Sequence, residues 1–215
     1  MPEFVVRAVL FDMDGTLVDS TPAVDRAWAG WEERWGVRLG VRASSLGRPA
    51  RDIVASRVPP DRVDEAFADI EAREVADVEG VVRLPGAVAL LDSLPRSAWA
   101  VVTSCTAPLA DARLGAAGIL PPVLVTASDT ARGKPDPAPY LAAAERLGVA
   151  PADCLVVEDA AAGVAAGRAA GCRTLGVLGS VPAAELGADA VVGALTEVRV
   201  EREGGLVRVT AGSTD

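Results

Sequence analysis

Phe11-Asp12-Met13-Asp14-Gly15-Thr16-Leu17-Val18-Asp19-Ser20 is the stretch from which the rest of the chain can be ordered. An apolar run from Val5 to Phe11, broken only by Arg7, leads into it. Such a run, bounded by turn residues, predicts a buried strand of a parallel sheet. Its carboxyl end carries two carboxylates, Asp12 and Asp14, followed by Gly15 and Thr16. Ligand crevices of open α/β sheets lie at the carboxyl ends of strands. Two acids crowded there repel each other, and ordinary folding gains little from that. A divalent, oxygen-seeking cation would make the same crowding favourable.

Downstream the period changes. Ser20-Thr21-Pro22 is a helix-start signal. Val24, Ala27, Trp28, Trp31 and Trp35 then recur at three-and-four spacing, with Gly36 as the C-cap. The tryptophan stripe could stack on a sugar, but a helix-packing core is the simpler reading. Gly47-Arg48-Pro49 breaks the pattern, a short helix runs to about Arg57, and Pro59-Pro60-Asp61 opens a longer one to about Asp77 with Ala66, Phe67 and Ile70 on its apolar side. Residues 17–80 therefore read as an all-helical insert between two α/β portions, 1–16 and 81–215. Glu79-Gly80 and Leu84-Pro85-Gly86 supply hinge-like turn chemistry.

Strand and helix alternate from there. Helices are expected over Ala87–Leu94, Pro108–Leu114, from Pro137 to Gly148 with Asp136 as N-cap, and around Gly163, Gly167 and Gly171. Those glycines favour close packing of a short helix on the sheet over a membrane dimer motif, because Arg168 lies among them. Strands are expected at Trp99–Val102, Val123–Val125, Leu155–Val157, Thr174–Leu178 and Ala190–Val192, and a terminal hairpin over Val198–Val209 turns at Gly204-Gly205.

Composition narrows the chemistry. The 215 residues are half hydrophobic, enough for one core domain and a small insertion. Neither a membrane span nor a secretory signal is expected. Cys105, Cys154 and Cys172 lack metal-type spacing, and free thiols imply a cytoplasmic setting. A net charge of −9 without a basic run disfavours nucleic acid. It also requires any phosphate site to be made attractive locally. Histidine is absent, which removes Ser-His and Cys-His nucleophile systems and most zinc sites.

Four strand ends carry polar groups: Asp12 with Asp14, Thr103, Lys134 in a loop after a strand, and Glu158 with Asp159. In a parallel sheet these ends converge. The set holds what phosphoryl transfer without histidine needs: a carboxylate to attack phosphorus, acids for magnesium, a hydroxyl and helix-start amides for the phosphate oxygens, and a lysine to neutralise charge. Asp136 is read as a cap and left out. Cys105 is read as a passive side chain, because no base is available to activate it.

The four stretches resemble, in order, the four signatures of the haloacid dehalogenase superfamily. They are Asp12-Met13-Asp14-Gly15-Thr16, Thr103 after an apolar strand, Gly133-Lys134-Pro135-Asp136-Pro137, and Glu158-Asp159-Ala160. The resemblance spans nearly the whole chain except the final hairpin. It implies an α/β fold, a Rossmann-like parallel sheet flanked by helices with an inserted all-helical cap. It further implies that Asp12 is the nucleophile and a Mg2+ ligand, and that Asp14 is the general acid/base with its backbone carbonyl on the metal. Thr103 and Ser104 would bind phosphate, Lys134 would bond phosphate and Asp12, Asp159 would ligate Mg2+, and Glu158 would lie outside the direct ligands. Carbon–halogen-cleaving members lack the second acid, so Asp14 argues for phosphoryl transfer.

A helical lid after the first signature is the arrangement of the small-cap branch. Leu-Pro-Gly-Ala and Val-Thr-Ser look most like its sugar and polyol phosphatases. Those often carry His-Gly-Arg in the cap, where this chain has Leu46-Gly47-Arg48, and Arg48 would approach the substrate. The expected activity is a Mg2+-dependent phosphatase of a small sugar or polyol phosphate acting through an aspartyl-phosphate. A β-phosphoglucomutase-like isomerase is the alternative, though such mutases use a cap histidine. A catalytically silent phosphate-binding scaffold is the second alternative, and it would be marked by loss of a signature acid. The partner is a small phosphorylated metabolite; monomer and dimer are both compatible with the sequence.

Overall fold

Val5 to Phe11 is not one strand in the computed structural model, which describes residues 1–40, 49–179 and 181–212. The run divides at Arg7 into β1 (Glu3–Val6) and β2 (Ala8–Phe11). Only alternate residues of β1 are buried, and Val5 is 50% exposed, whereas every residue of β2 is buried. Periodicity misses the break because Val5 is apolar yet faces outward. At the break the Arg7 amide donates to the Asp153 carbonyl at 2.7 Å, and the chain crosses into a second sheet.

The segment 17–80 is not all-helical: it begins with a ribbon strand, β3 (Val18–Asp19), held by long-range pairing that no local period signals, before α1 (Thr21–Trp35). The Asp19 carboxylate accepts the Thr21 amide at 3.0 Å, and Gly36 closes the helix at φ +64°, a backbone that favours glycine. α2 (Ala50–Ala55) and α3 (Val63–Ala76) follow, the latter after one 3-10 turn at Pro60–Arg62. Trp28 and Trp31 are buried with Ile53, Val54, Ala66 and Ile70 in a cluster of their own, and the Trp31 indole donates to the Ala66 carbonyl at 2.8 Å. The stripe is therefore core. Replacing Trp31 by alanine would cost about 3–5 kcal/mol. β4 (Val82–Arg83) then pairs antiparallel with β3, Val18 opposite Arg83, so both ends of the helical segment meet in one ribbon.

The α/β alternation runs as α4 (Ala87–Ser93), β5 (Trp99–Val102), α5 (Ala107–Ala117), β6 (Leu124–Val125), α6 (Ala138–Leu147), β7 (Cys154–Glu158), α7 (Ala161–Ala169), β8 (Arg173–Val177), α8 (Ala183–Leu186) and β9 (Ala190–Val192). α6 starts one residue later than expected, with the Asp136 carboxylate accepting the Ala138 amide at 3.0 Å. Gly163 and Gly167 lie against the sheet as expected, whereas Gly171 lies beyond α7.

Six strands form one parallel sheet in the order β6-β5-β2-β7-β8-β9. Val9 and Phe11 of β2 face one apolar cluster and Ala8 and Leu10 the other, as the strands beside it also divide. That two-sided burial explains the continuous apolar runs. The chain grows outward from β2 to β5 and β6, then returns to β7 on the other side. The carboxyl end of β2 is thus a switch point, where α/β sheets open their crevice. The hairpin of β10 (Val198–Glu203) and β11 (Leu206–Ala211) turns at Gly204-Gly205 and pairs with β1 in a three-stranded sheet. Val207 and Val209 add to the main core. No described helix is long and apolar enough to cross a membrane.

Candidate active site

Asp12 follows the last residue of β2, and its amide donates to the Val157 carbonyl of β7 at 2.9 Å. Parallel pairing of β2 with β7 therefore sets Asp12 beside Glu158 and Asp159, which follow Val157. Among the described residues, carboxylate oxygens of Asp12, Glu158 and Asp159 lie within 4.8 Å of one another, all three residues buried. Lys134 offsets part of that charge. Its ammonium donates to Asp12 Oδ1 at 2.5 Å, Glu158 Oε1 at 2.6 Å and the Val102 carbonyl at 2.9 Å. Three N–H groups meet three acceptors on three strand ends.

Glu158 is filled by protein. Besides Lys134, its Oε1 accepts the Tyr140 hydroxyl at 2.8 Å, and its Oε2 accepts the Ala160 amide at 3.2 Å. It is fixed within the cluster, leaving Asp12 and Asp159 as the carboxylates with open capacity. Burial, and then the charge of Glu158, hold the Asp12 carboxyl well above its ordinary value. The same two causes push Asp159 up to about 7. Both acids resist ionisation as they stand, and a cation would relieve that. Their all-oxygen donor set fits a hard divalent ion. Two buried hydroxyl or carboxyl oxygens of the first signature, Thr16 Oγ1 and Asp14 Oδ1, also lack a partner among the described residues.

Gly15 joins two of the signatures sterically. Its φ is +87°, and a Cβ there would fall 2.1 Å from Asp159 Oδ2. No other residue type combines that backbone with that approach. A cavity of about 400 Å³ opens beside it, bordered by Asp159, Thr16, Asp19, Leu84 and Gly193.

Thr103, just past β5, is buried, and its hydroxyl accepts the Cys105 amide at 3.1 Å. Ser104 is next to it and half-buried. Asp14 stands apart from the cluster: its carboxylate turns to Arg113 of α5, 2.9 Å away, and accepts the Cys105 thiol at 3.2 Å. Burial pushes that thiol's pKa well up, which suits a donor and not a nucleophile. Arg48 lies outside the described residues, together with Leu46 and Gly47.

Sequence reading missed Arg113, Glu74 and Tyr140. Arg113 interrupts the buried face of α5 formed by Leu109, Ala110, Leu114 and Ala117, and Glu74 follows Ala66 and Ile70 at the next turn of the buried face of α3. A charge on an apolar stripe was the available signal. Tyr140 is the chain's one tyrosine, and nothing in its local sequence marks it as a partner of Glu158.

The family model of haloacid dehalogenase-like hydrolases matches residues 6–171. Hexitol phosphatase A of Escherichia coli is 43% identical over 206 residues, covering 92% of this chain and 95% of that protein. Validoxylamine A 7'-phosphate phosphatase of Streptomyces hygroscopicus subsp. limoneus is 38% identical over 204 residues, covering 90% and 96%. Among solved structures, a hydrolase from Pseudomonas syringae aligns with a TM-score of 0.78 at 26% identity, covering 87% of this chain and 94% of that one.

Proposed function

The chain belongs to the haloacid dehalogenase-like hydrolases, and from that premise we propose that it hydrolyses a small sugar or polyol phosphate, with Asp12 as nucleophile and Mg2+ as its cation. The observation that carries the reading is the convergence of Asp12, Asp159 and Lys134 on one buried point at the strand ends. The similarity to a hexitol phosphatase supports the substrate class.

Asp12 and Asp159, with the Asp14 backbone carbonyl, would hold the metal, which when bound screens the phosphate dianion from the carboxylates. Lys134 orients Asp12 through Oδ1 and neutralises charge on the transferring group. The Thr103 hydroxyl, Ser104 and the amides before α5 hold phosphate oxygens. An Asp12 oxygen forms a bond to phosphorus as the bond to the leaving oxygen breaks, and Asp14 gives that oxygen a proton. Water then attacks the phosphorus of the aspartyl-phosphate as the bond from the Asp12 oxygen breaks, the water gives a proton to Asp14, and phosphate departs. We further read α1 to α3 as a cap, hinged at the β3–β4 ribbon, that excludes bulk water during these steps. The mutase alternative would need a proton-handling histidine that the chain does not contain.

Free-phosphate release across sugar, polyol and nucleotide monophosphates tests the proposal. Hexitol and related polyol phosphates are expected to be turned over, with EDTA abolishing release and Mg2+ restoring it. Release from none of the panel, or turnover indifferent to chelation, would overturn it.

A further inference from the structure

Asp14 is held through one oxygen only. Its Oδ2 accepts from Arg113 at 2.9 Å and from Cys105 at 3.2 Å, while its Oδ1 is buried with no partner among the described residues. The other arm of the same guanidinium donates to Glu74 Oε1 at 2.9 Å. Arg113 and Glu74 are each only 5% exposed. Arg113 belongs to α5 on the sheet, and Glu74 belongs to α3 in the helical segment. One cation therefore bridges a signature acid and an acid from the other side of the joint. Burying one guanidinium between two carboxylates costs desolvation that apolar side chains at these positions would not incur. Stability alone does not account for the set.

We propose that Arg113 is a positioning residue for the proton transfers of Asp14, and that Glu74 holds Arg113 in place only while the helical segment is seated on the sheet. The inference rests on the phosphatase reading above. With Oδ2 occupied by two donors, Oδ1 is the oxygen left for the leaving group and for water. A planar two-armed guanidinium can fix both carboxylates at once, which a lysine ammonium does with less directional control. When the segment swings away, Glu74 leaves, Arg113 loses one of its anchors, and Asp14 loses its fixed orientation. Acid/base chemistry is then coupled to the closed arrangement that keeps water out.

The test compares kcat/KM for two esters that differ in need for a proton. Sorbitol 6-phosphate expels an alkoxide that must be protonated, whereas p-nitrophenyl phosphate expels a stable phenolate. Arg113→Met, and Arg113→Met combined with Glu74→Leu to avoid an unpaired buried acid, should lower the value for sorbitol 6-phosphate by about 10²-fold. The nitrophenyl ester should fall less than about fivefold, because its departure draws little on a general acid. Glu74→Leu alone should give the same selectivity at about tenfold, and Glu74→Gln, which keeps an acceptor for Arg113, should restore the native ratio. Melting curves establish that each variant is folded. Equal losses on both esters in a folded variant, a change in KM alone, or no change would overturn the role. If the unaltered chain cleaves neither ester, the phosphatase reading itself fails, and the inference falls with it. If it cleaves both and the variants show no selectivity, only the inference fails.

Discussion

Lys134 Nζ lies 2.5 Å from Asp12 Oδ1 across 122 positions of sequence. The same ammonium reaches Glu158 and the Val102 carbonyl, so no N–H is left over. Lys134 therefore does two jobs: it stabilises a buried acid cluster and it aims one member of it.

Asp12→Asn removes the proposed nucleophile while keeping its shape. Phosphate release should fall by about 10³-fold or more. Glu158 and Asp159 both raise the Asp12 pKa, so neutralising that position removes like-charge repulsion. The variant should melt at or above the native temperature without metal. Near-native turnover would refute the nucleophile.

Lys134→Met leaves Asp12 and Glu158 facing each other with no cation between them. Breaking a buried pair in this way costs about 3–5 kcal/mol. Urea denaturation of the metal-free variant should show that loss, and turnover should vanish. A loss well under 1 kcal/mol would mean the cluster is not under the strain described.

Metal binding should stabilise the fold more as pH rises. Burial first, and Glu158 second, push Asp159 from an ordinary 3.8 up to about 7. A carboxyl raised in the folded state favours folding fully below its unfolded value, and that contribution is lost as pH rises through about 7. Mg2+ competes with the same proton. The melting-temperature difference between Mg2+ and EDTA samples should therefore grow from about pH 5 to about pH 8. At a hundredfold excess over Kd it corresponds to about 2.7 kcal/mol. A difference that shrinks or stays flat over this window would count against the metal site.

Gly163→Ala tests the back of the site without replacing an acid. A Cβ on Gly163 would fall 1.7 Å from Glu158 Oε1, the oxygen that holds Lys134 and Tyr140. Glu158 must move, at a cost of about 1–3 kcal/mol, and turnover should drop with it. Gly167→Ala, whose nearest contact would be Val156 at 3.0 Å, should cost less. Equal stability and activity in Gly163→Ala would show that Glu158 has room to shift.

The sequence by itself determined the α/β alternation of the core and the strand ends that carry acids, because apolar periodicity and turn residues are local signals, but not the short β3–β4 ribbon, whose two-residue strands carry no periodicity. Asp12, Thr103, Lys134, Glu158 and Asp159 were legible because each stands at the edge of such a local pattern. The split at Arg7 was not, since Val5 is apolar on both readings and only the pairing of β1 with β11 turns it outward. Nor was the chain Glu74–Arg113–Asp14, whose members come from α3, α5 and the turn after β2. Tertiary structure alone decides such a contact. It depends on how the helices seat against one another, and a buried charge is tolerated only where a partner from a distant segment arrives to meet it.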